Sequence, residues 1–132
     1  MVKKNLQDDQ LKRALADYQN LTKRVESERL EFVKYVLEQF LAKLMPVIDA
    51  LEAAQTHLKD QGLNLAISQL KTVLTDEGVK EMDLLNQPFD PKLAECLEIV
   101  PGKKDLIISL AQKGYLLNDK VLRPARVKVG KG

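Results

Sequence analysis

No glycine occurs before Gly62, and Pro46 is the only proline before Pro88. A stretch so free of the residues that end helices can fold into little else. Leu11, Leu15, Tyr18, Leu21 and Val25 recur at spacings of three and four, the mark of a helix with a narrow apolar seam. The seam falters across "ESERLE", where Glu28 and Arg29 take the apolar slots, then widens through Phe32, Val33, Val36, Leu37, Phe40, Leu41 and Leu44. A helix from Lys3 to Met45 would be roughly 65 Å long at about 1.5 Å per residue. A chain of 132 residues has no globule large enough to cover it. The simplest cover is a second copy of the chain in a parallel coil. A narrow seam suits a two-stranded coil, whereas a wide face needs more than one neighbour.

Pro46 should kink or break this helix, because it removes a backbone donor and crowds the preceding turn. The pattern resumes with Val47, Ile48, Leu51, Ala54 and Leu58, so helix is expected to about Asp60. A second helix, about 63–78, carries Leu63, Ile67, Leu70, Val73 and Leu74 on one face and stops at Gly78. Paired with its mate in a dimer, this unit would form a four-helix bundle. The expected dimerisation residues are Leu11, Leu15, Tyr18, Val25, Phe32, Val36, Phe40, Leu44 and Leu51.

The texture then changes. Four of the five prolines and four of the six glycines fall in the last 45 or so residues. Between them lie short apolar runs at Leu97 to Val100, Leu106 to Leu110, Tyr115 to Leu117 and Val121 to Val129, which read as strands. The expected fold is α+β: residues 1–85 form a helical dimerisation region and residues 86–132 a compact all-β domain. Asn118-Asp119 looks like a hairpin turn, and Pro124 interrupts the run after it. Arg123 shares the parity of Ala125, Val127 and Val129, which should face inward. Pro124 frees Arg123 from that parity, leaving it either a contact at the rim or a tie to a carboxylate or loop carbonyl.

Charge separates the same two regions. From Lys103 onward eight Lys and Arg face only Asp105 and Asp119, so within a total of +2 the rest of the chain carries −4. A basic C-terminal region suits an acidic partner surface or a nucleic acid. Tyr115 is the only aromatic there that could stack a base, which weakens the second reading. Cys96 is the only cysteine, in keeping with a reducing compartment such as the cytoplasm. No apolar run approaches the roughly 18 residues that span a bilayer. His57 and Cys96 stand alone, so neither a metal site nor a catalytic group is expected, nor is a cofactor. "PGKKD" lacks the spacing of a phosphate loop.

Three stretches together resemble the GrpE family of nucleotide exchange factors. "DYQNLTKR" is similar to its helix motif through Tyr18, Asn20, Lys23 and Arg24. "LAKLMPVIDALEAA" is similar to its proline-containing segment through Leu44, Pro46, Val47, Ile48, Asp49 and Leu51. "GYLLNDKVLRPARVKV" resembles its C-terminal signature. Ala94 and Cys96 depart from the usual histidine and alanine, and the family's acidic N-terminal extension is nearly missing. The resemblance implies a homodimer that binds the nucleotide-binding domain of a DnaK-type chaperone and opens its cleft to release ADP, without catalysis, nucleic acid or membrane. It further implies chaperone contacts at Lys120, Arg123, Arg126 and Val129, and at Asn20, Lys23 and Arg24 on the long helix, where the cations are alternatively plain solvated charges. Lys120, beside the hairpin turn, is the most projecting of these.

Overall fold

The computed structural model describes residues 2–132, with side chains from Asn5 onward; Met1, the first residue of the expected helical region, lies outside the described residues. Helix α1 covers Val2–Leu58 and α2 covers Gln61–Asp76. The strands are β1 (Val79–Glu81), β2 (Ala94–Val100), β3 (Ile107–Gln112), β4 (Tyr115–Leu117), β5 (Lys120–Arg123) and β6 (Ala125–Gly130). The fold is α+β, a long N-terminal helix and a second helix followed by small C-terminal sheets. The chain divides into two compact units, Met1–Leu37 and Glu38–Gly132.

The described residues of the first unit are helix alone. Leu11, Leu15, Tyr18, Leu21, Val25, Phe32, Val33 and Val36 are all exposed. A helix gains most of its stability from packing an apolar face, and this row packs against nothing within its own unit.

Of the kink or break expected at Pro46, the break is absent, since α1 runs through it to Leu58. Proline deprives the Ala42 carbonyl of its donor, but Ala42 and Pro46 both lie on the exposed side, where water can satisfy that carbonyl.

In the second unit the wide stripe divides. Leu41, Met45 and Ile48 are buried within the chain, Phe40 and Val47 stay exposed, and Leu44 and Leu51 are half-buried. The stripe is therefore wide because one side is covered by the chain itself. Asp60 caps α2, its carboxylate accepting the Leu63 amide at 3.1 Å. Gly78 follows the helix end at φ 91°, where a residue with a side chain would be strained, and its amide donates to the Thr75 carbonyl.

The strands make two three-stranded sheets, β1-β4-β5 and β2-β6-β3. Strand β1 falls inside the range 1–85 expected to be helical, and it pairs antiparallel with β4. In the second sheet β2 runs parallel to β6, while β3 is antiparallel to it. Asn118 and Asp119, at φ 47° and 70°, make the tight hairpin turn between β4 and β5. Met82, Leu84, Ala94, Ile107, Ala125, Val127 and Val129 form the core of the strand region, with Phe89, Leu93, Leu110, Leu116 and Val121 packed against it.

Pro124 does not interrupt one strand; it separates two that belong to different sheets. The chain passes from β2-β6-β3 to β1-β4-β5 at Lys113-Gly114 and returns at Pro124. Gln112 Nε2 donates to the Pro124 carbonyl at 3.1 Å and ties the two crossings together.

Candidate functional site

Ending β5 before proline leaves Arg123 free to turn toward α1. Its Nη1 donates to Asp49 Oδ2 at 2.6 Å and its Nη2 to Asp49 Oδ1 at 3.0 Å, the two-pronged geometry that suits guanidinium and carboxylate. Nε donates to the Lys113 carbonyl at 3.0 Å, and Nη2 reaches the same oxygen. The guanidinium also lies over the Tyr115 ring, 5.4 Å from its centroid. The Arg123 side chain is 13% exposed. It is a tie within the chain.

Two further ion pairs flank this one. Lys113 Nζ sits 2.8 Å from Glu52 Oε2 and 3.4 Å from Glu81 Oε1, and Lys120 Nζ donates to Glu38 Oε2 at 3.1 Å. At about 100° per residue, Asp49 and Glu52 lie about 20° and 40° either side of Glu38 on α1. The row of acids thus borders the buried row of Leu41, Met45 and Ile48, and one segment, Lys113 to Arg123, supplies all three cations.

Burial raises the Glu52 carboxyl, but its close pairing with the Lys113 and Lys71 ammonium groups outweighs it and holds the pKa below the usual value. Lys71 Nζ approaches Glu52 Oε1 at 2.8 Å, as an ion pair out of line for a directed hydrogen bond. Burial lowers the Lys113 ammonium, and Glu52 and Glu81 more than offset it, so its pKa is raised. Tyr115 is pushed up to about 12, first by burial and then by the charges of Glu52 and Glu81. Its hydroxyl is buried with no hydrogen-bond partner among the described residues.

Of the other expected contact residues, Lys120 is 72% exposed beside the turn despite its bond to Glu38. Arg126 is exposed on β6, 3.8 Å from Glu95, and Lys128 is half-buried, 3.5 Å from Glu98. Val129 belongs to the core and is 7% exposed, so little of it faces solvent. Parity explains this, since Ala125, Val127 and Val129 alternate with the outward residues. In the first unit Asn20, Lys23 and Arg24 are exposed on α1, with Arg24 3.7 Å from Glu28. His57 and Cys96 are exposed, and the described residues contain no cluster of three potential metal ligands. No described helix is long and apolar enough to cross a membrane.

A family model described as GrpE matches residues 2–131. The chain belongs to the GrpE family. It is similar to the Protein GrpE of Campylobacter fetus, 39% identical over 96% of this chain and 79% of that protein. It is also similar to the Protein GrpE of Caldanaerobacter subterraneus, at 41% over 93% of this chain and 64% of the relative. A third, from Carboxydothermus hydrogenoformans, is 41% identical over 90% of this chain and 66% of its own length. The chain therefore spans about two thirds to four fifths of these relatives.

GrpE proteins are nucleotide exchange factors, co-chaperones of DnaK-type chaperones. Such an activity requires surfaces rather than a catalytic group. Sequence reasoning missed the acids that hold the strand region to α1, namely Glu38 and Glu52, and saw Asp49 only as part of a motif. The available signal was their shared helical face beside an apolar row.

Proposed function

We propose that the chain is a homodimeric nucleotide exchange factor, which binds the nucleotide-binding domain of a cytoplasmic DnaK-type chaperone and opens its cleft so that ADP leaves. The observation that carries this reading is the family match over residues 2–131. The exposed row Leu11, Leu15, Tyr18, Val25, Phe32, Val36 and Phe40 supports dimerisation through α1, with half-buried Leu44 and Leu51 in a four-helix bundle. The helical region within 1–85 carries dimerisation, and the β region within 86–132 carries the main chaperone contact. Lys120 and Arg126 are its contact residues, and Asn20, Lys23 and Arg24 add a second contact on α1.

Opening follows from differential binding: a partner that binds the open cleft better than the closed one shifts the population toward open. No side chain has to perform chemistry, and neither a cofactor nor a metal takes part. A nucleic-acid role is disfavoured because Tyr115, the only aromatic after Lys103, is buried and cannot stack on a base. Stopped-flow release of labelled ADP from the chaperone tests the proposal. The chain should accelerate release, and an unchanged rate at saturating chain refutes it.

A further inference from the structure

We infer that Arg123 and Asp49 act as a positioning clamp, fixing how the two small sheets are held against α1, and that exchange depends on this geometry rather than on a direct Arg123 contact. The inference rests on the exchange-factor reading and deepens it. Its basis is where the guanidinium sits. The chain crosses between the sheets three times, over the long stretch 82–93 and at two short crossings, Lys113-Gly114 and Pro124. Arg123 immediately precedes the second short crossing and donates to the Lys113 carbonyl at the first. Gln112 links the crossings again through the Pro124 carbonyl. The node so formed is fastened to α1 by the paired bonds to Asp49.

Little of Arg123 remains for a partner. Its four hydrogen bonds engage all three guanidinium nitrogens and four of the five donors an arginine has. Nor is the clamp part of the strand core, because Ile107, Ala125 and Val127 are fully buried without either residue. The clamp lies where the β1-β4-β5 sheet meets the helix, beside the two short crossings to the other sheet. Loosening it lets the β2-β6-β3 sheet, which carries Arg126 and Lys128, swing about the two short crossings, with the longer 82–93 connection following.

A direct contact and a clamp differ in what they require of Asp49. A contact needs only the arginine, whereas a clamp needs both residues and gains nothing from one alone. The test uses the full-length chain with R123A, D49A, the double variant and R123K. ADP release from the chaperone is measured at saturating chain, and chaperone affinity separately. Each single alanine variant should slow maximal release about tenfold, in line with losing hydrogen bonds between charged groups. The double variant should be no worse than either single one. R123K, with its charge but not its fork, should lie between.

A second readout needs no chaperone. Native Cys96 on β2 is exposed and takes a spin label, and H57C on α1 supplies the second site. With labelled chains diluted in unlabelled ones, the intrachain distance distribution should be narrow in the parent and broad in both R123A and D49A. If D49A leaves exchange and the distance distribution as they were while R123A abolishes exchange, Arg123 is a contact and the clamp is overturned. If both variants keep the narrow distribution, the clamp is equally overturned. A parent chain that fails to release ADP refutes the exchange-factor reading, and the distance measurement still decides the clamp.

Discussion

Arg123 and Asp49, 74 residues apart in sequence, meet through two hydrogen bonds of 2.6 and 3.0 Å and join the strand region to α1. The charge asymmetry of the sequence is partly explained by this pair and its neighbours. The basic C-terminal region meets its acidic complement first within its own chain.

Reversing charge at the hairpin tip should separate binding from folding. Lys120 is mostly exposed, so its pair with Glu38 contributes less than about 1 kcal/mol. K120E is expected to leave the melting temperature nearly unchanged and to slow ADP release. Unaltered release would move the contact to the face around Arg126.

Val127 is fully buried in the strand core. V127D places an unpaired carboxylate there and should cost at least about 3 kcal/mol. Denaturant unfolding followed by near-ultraviolet tyrosine signals should show the strand region lost. A native-like transition would mean that the core is not where this structure has it.

Gly114 sits at the first short crossing between the sheets. A Cβ there would lie 2.7 Å from the Ala125 amide nitrogen and 2.7 Å from Met82 Sδ. G114A should therefore destabilise the chain by about 1–3 kcal/mol through overpacking. A midpoint equal to that of the parent would contradict it.

The node around Glu52 should respond to pH at both ends. The lowered Glu52 pKa adds stability that is present above its unfolded value of 4.5 and lost as pH falls through the folded one. Lys113 and Tyr115 have raised values, so their contributions are complete below the unfolded values of 10.5 and 10.0 and lost as pH rises. For Tyr115 that loss falls between pH 10 and about 12. Melting temperature against pH should drop on both flanks, and Y115F should soften the alkaline one. An alkaline flank identical in Y115F would remove tyrosine from the account.

The exposed row on α1 makes dimerisation a prediction of mass. Light scattering at micromolar concentration should give twice 14.9 kDa, and L15D should weaken the dimer. Hydrogen exchange in residues 6–36 should be faster than around Leu41, Met45 and Ile48, which the chain itself buries. A compact monomer, or uniform protection along α1, would be at odds with this.

How far the sequence could be read follows from which signals are local. The Asn118-Asp119 turn carries its own chemistry and was legible. So was α2, expected over 63–78 and found at Gln61–Asp76, because Asp60 and Gly78 punctuate its ends. Strand β1 was not, since three residues directly after a helix show no alternation long enough to detect. Pro46 allowed either a kink or a break, and local sequence could not show that helix would continue to Leu58 with the freed Ala42 carbonyl on the exposed side. Arg123 was left open between contact and tie, and nothing near it in sequence could decide, because its partner is on another element. The inward side of β6 was legible too, since Ala125, Val127 and Val129 alternate with Arg126 and Lys128.

The central claim, exchange by differential binding, has a direct thermodynamic test. A partner that weakens nucleotide must itself be weakened by nucleotide in the same ratio. Calorimetry should measure the Kd of ADP for the chaperone with and without saturating chain, and the Kd of the chain with and without saturating ADP. Both should rise by one common factor, on the order of tens. An ADP affinity indifferent to the bound chain would contradict the account.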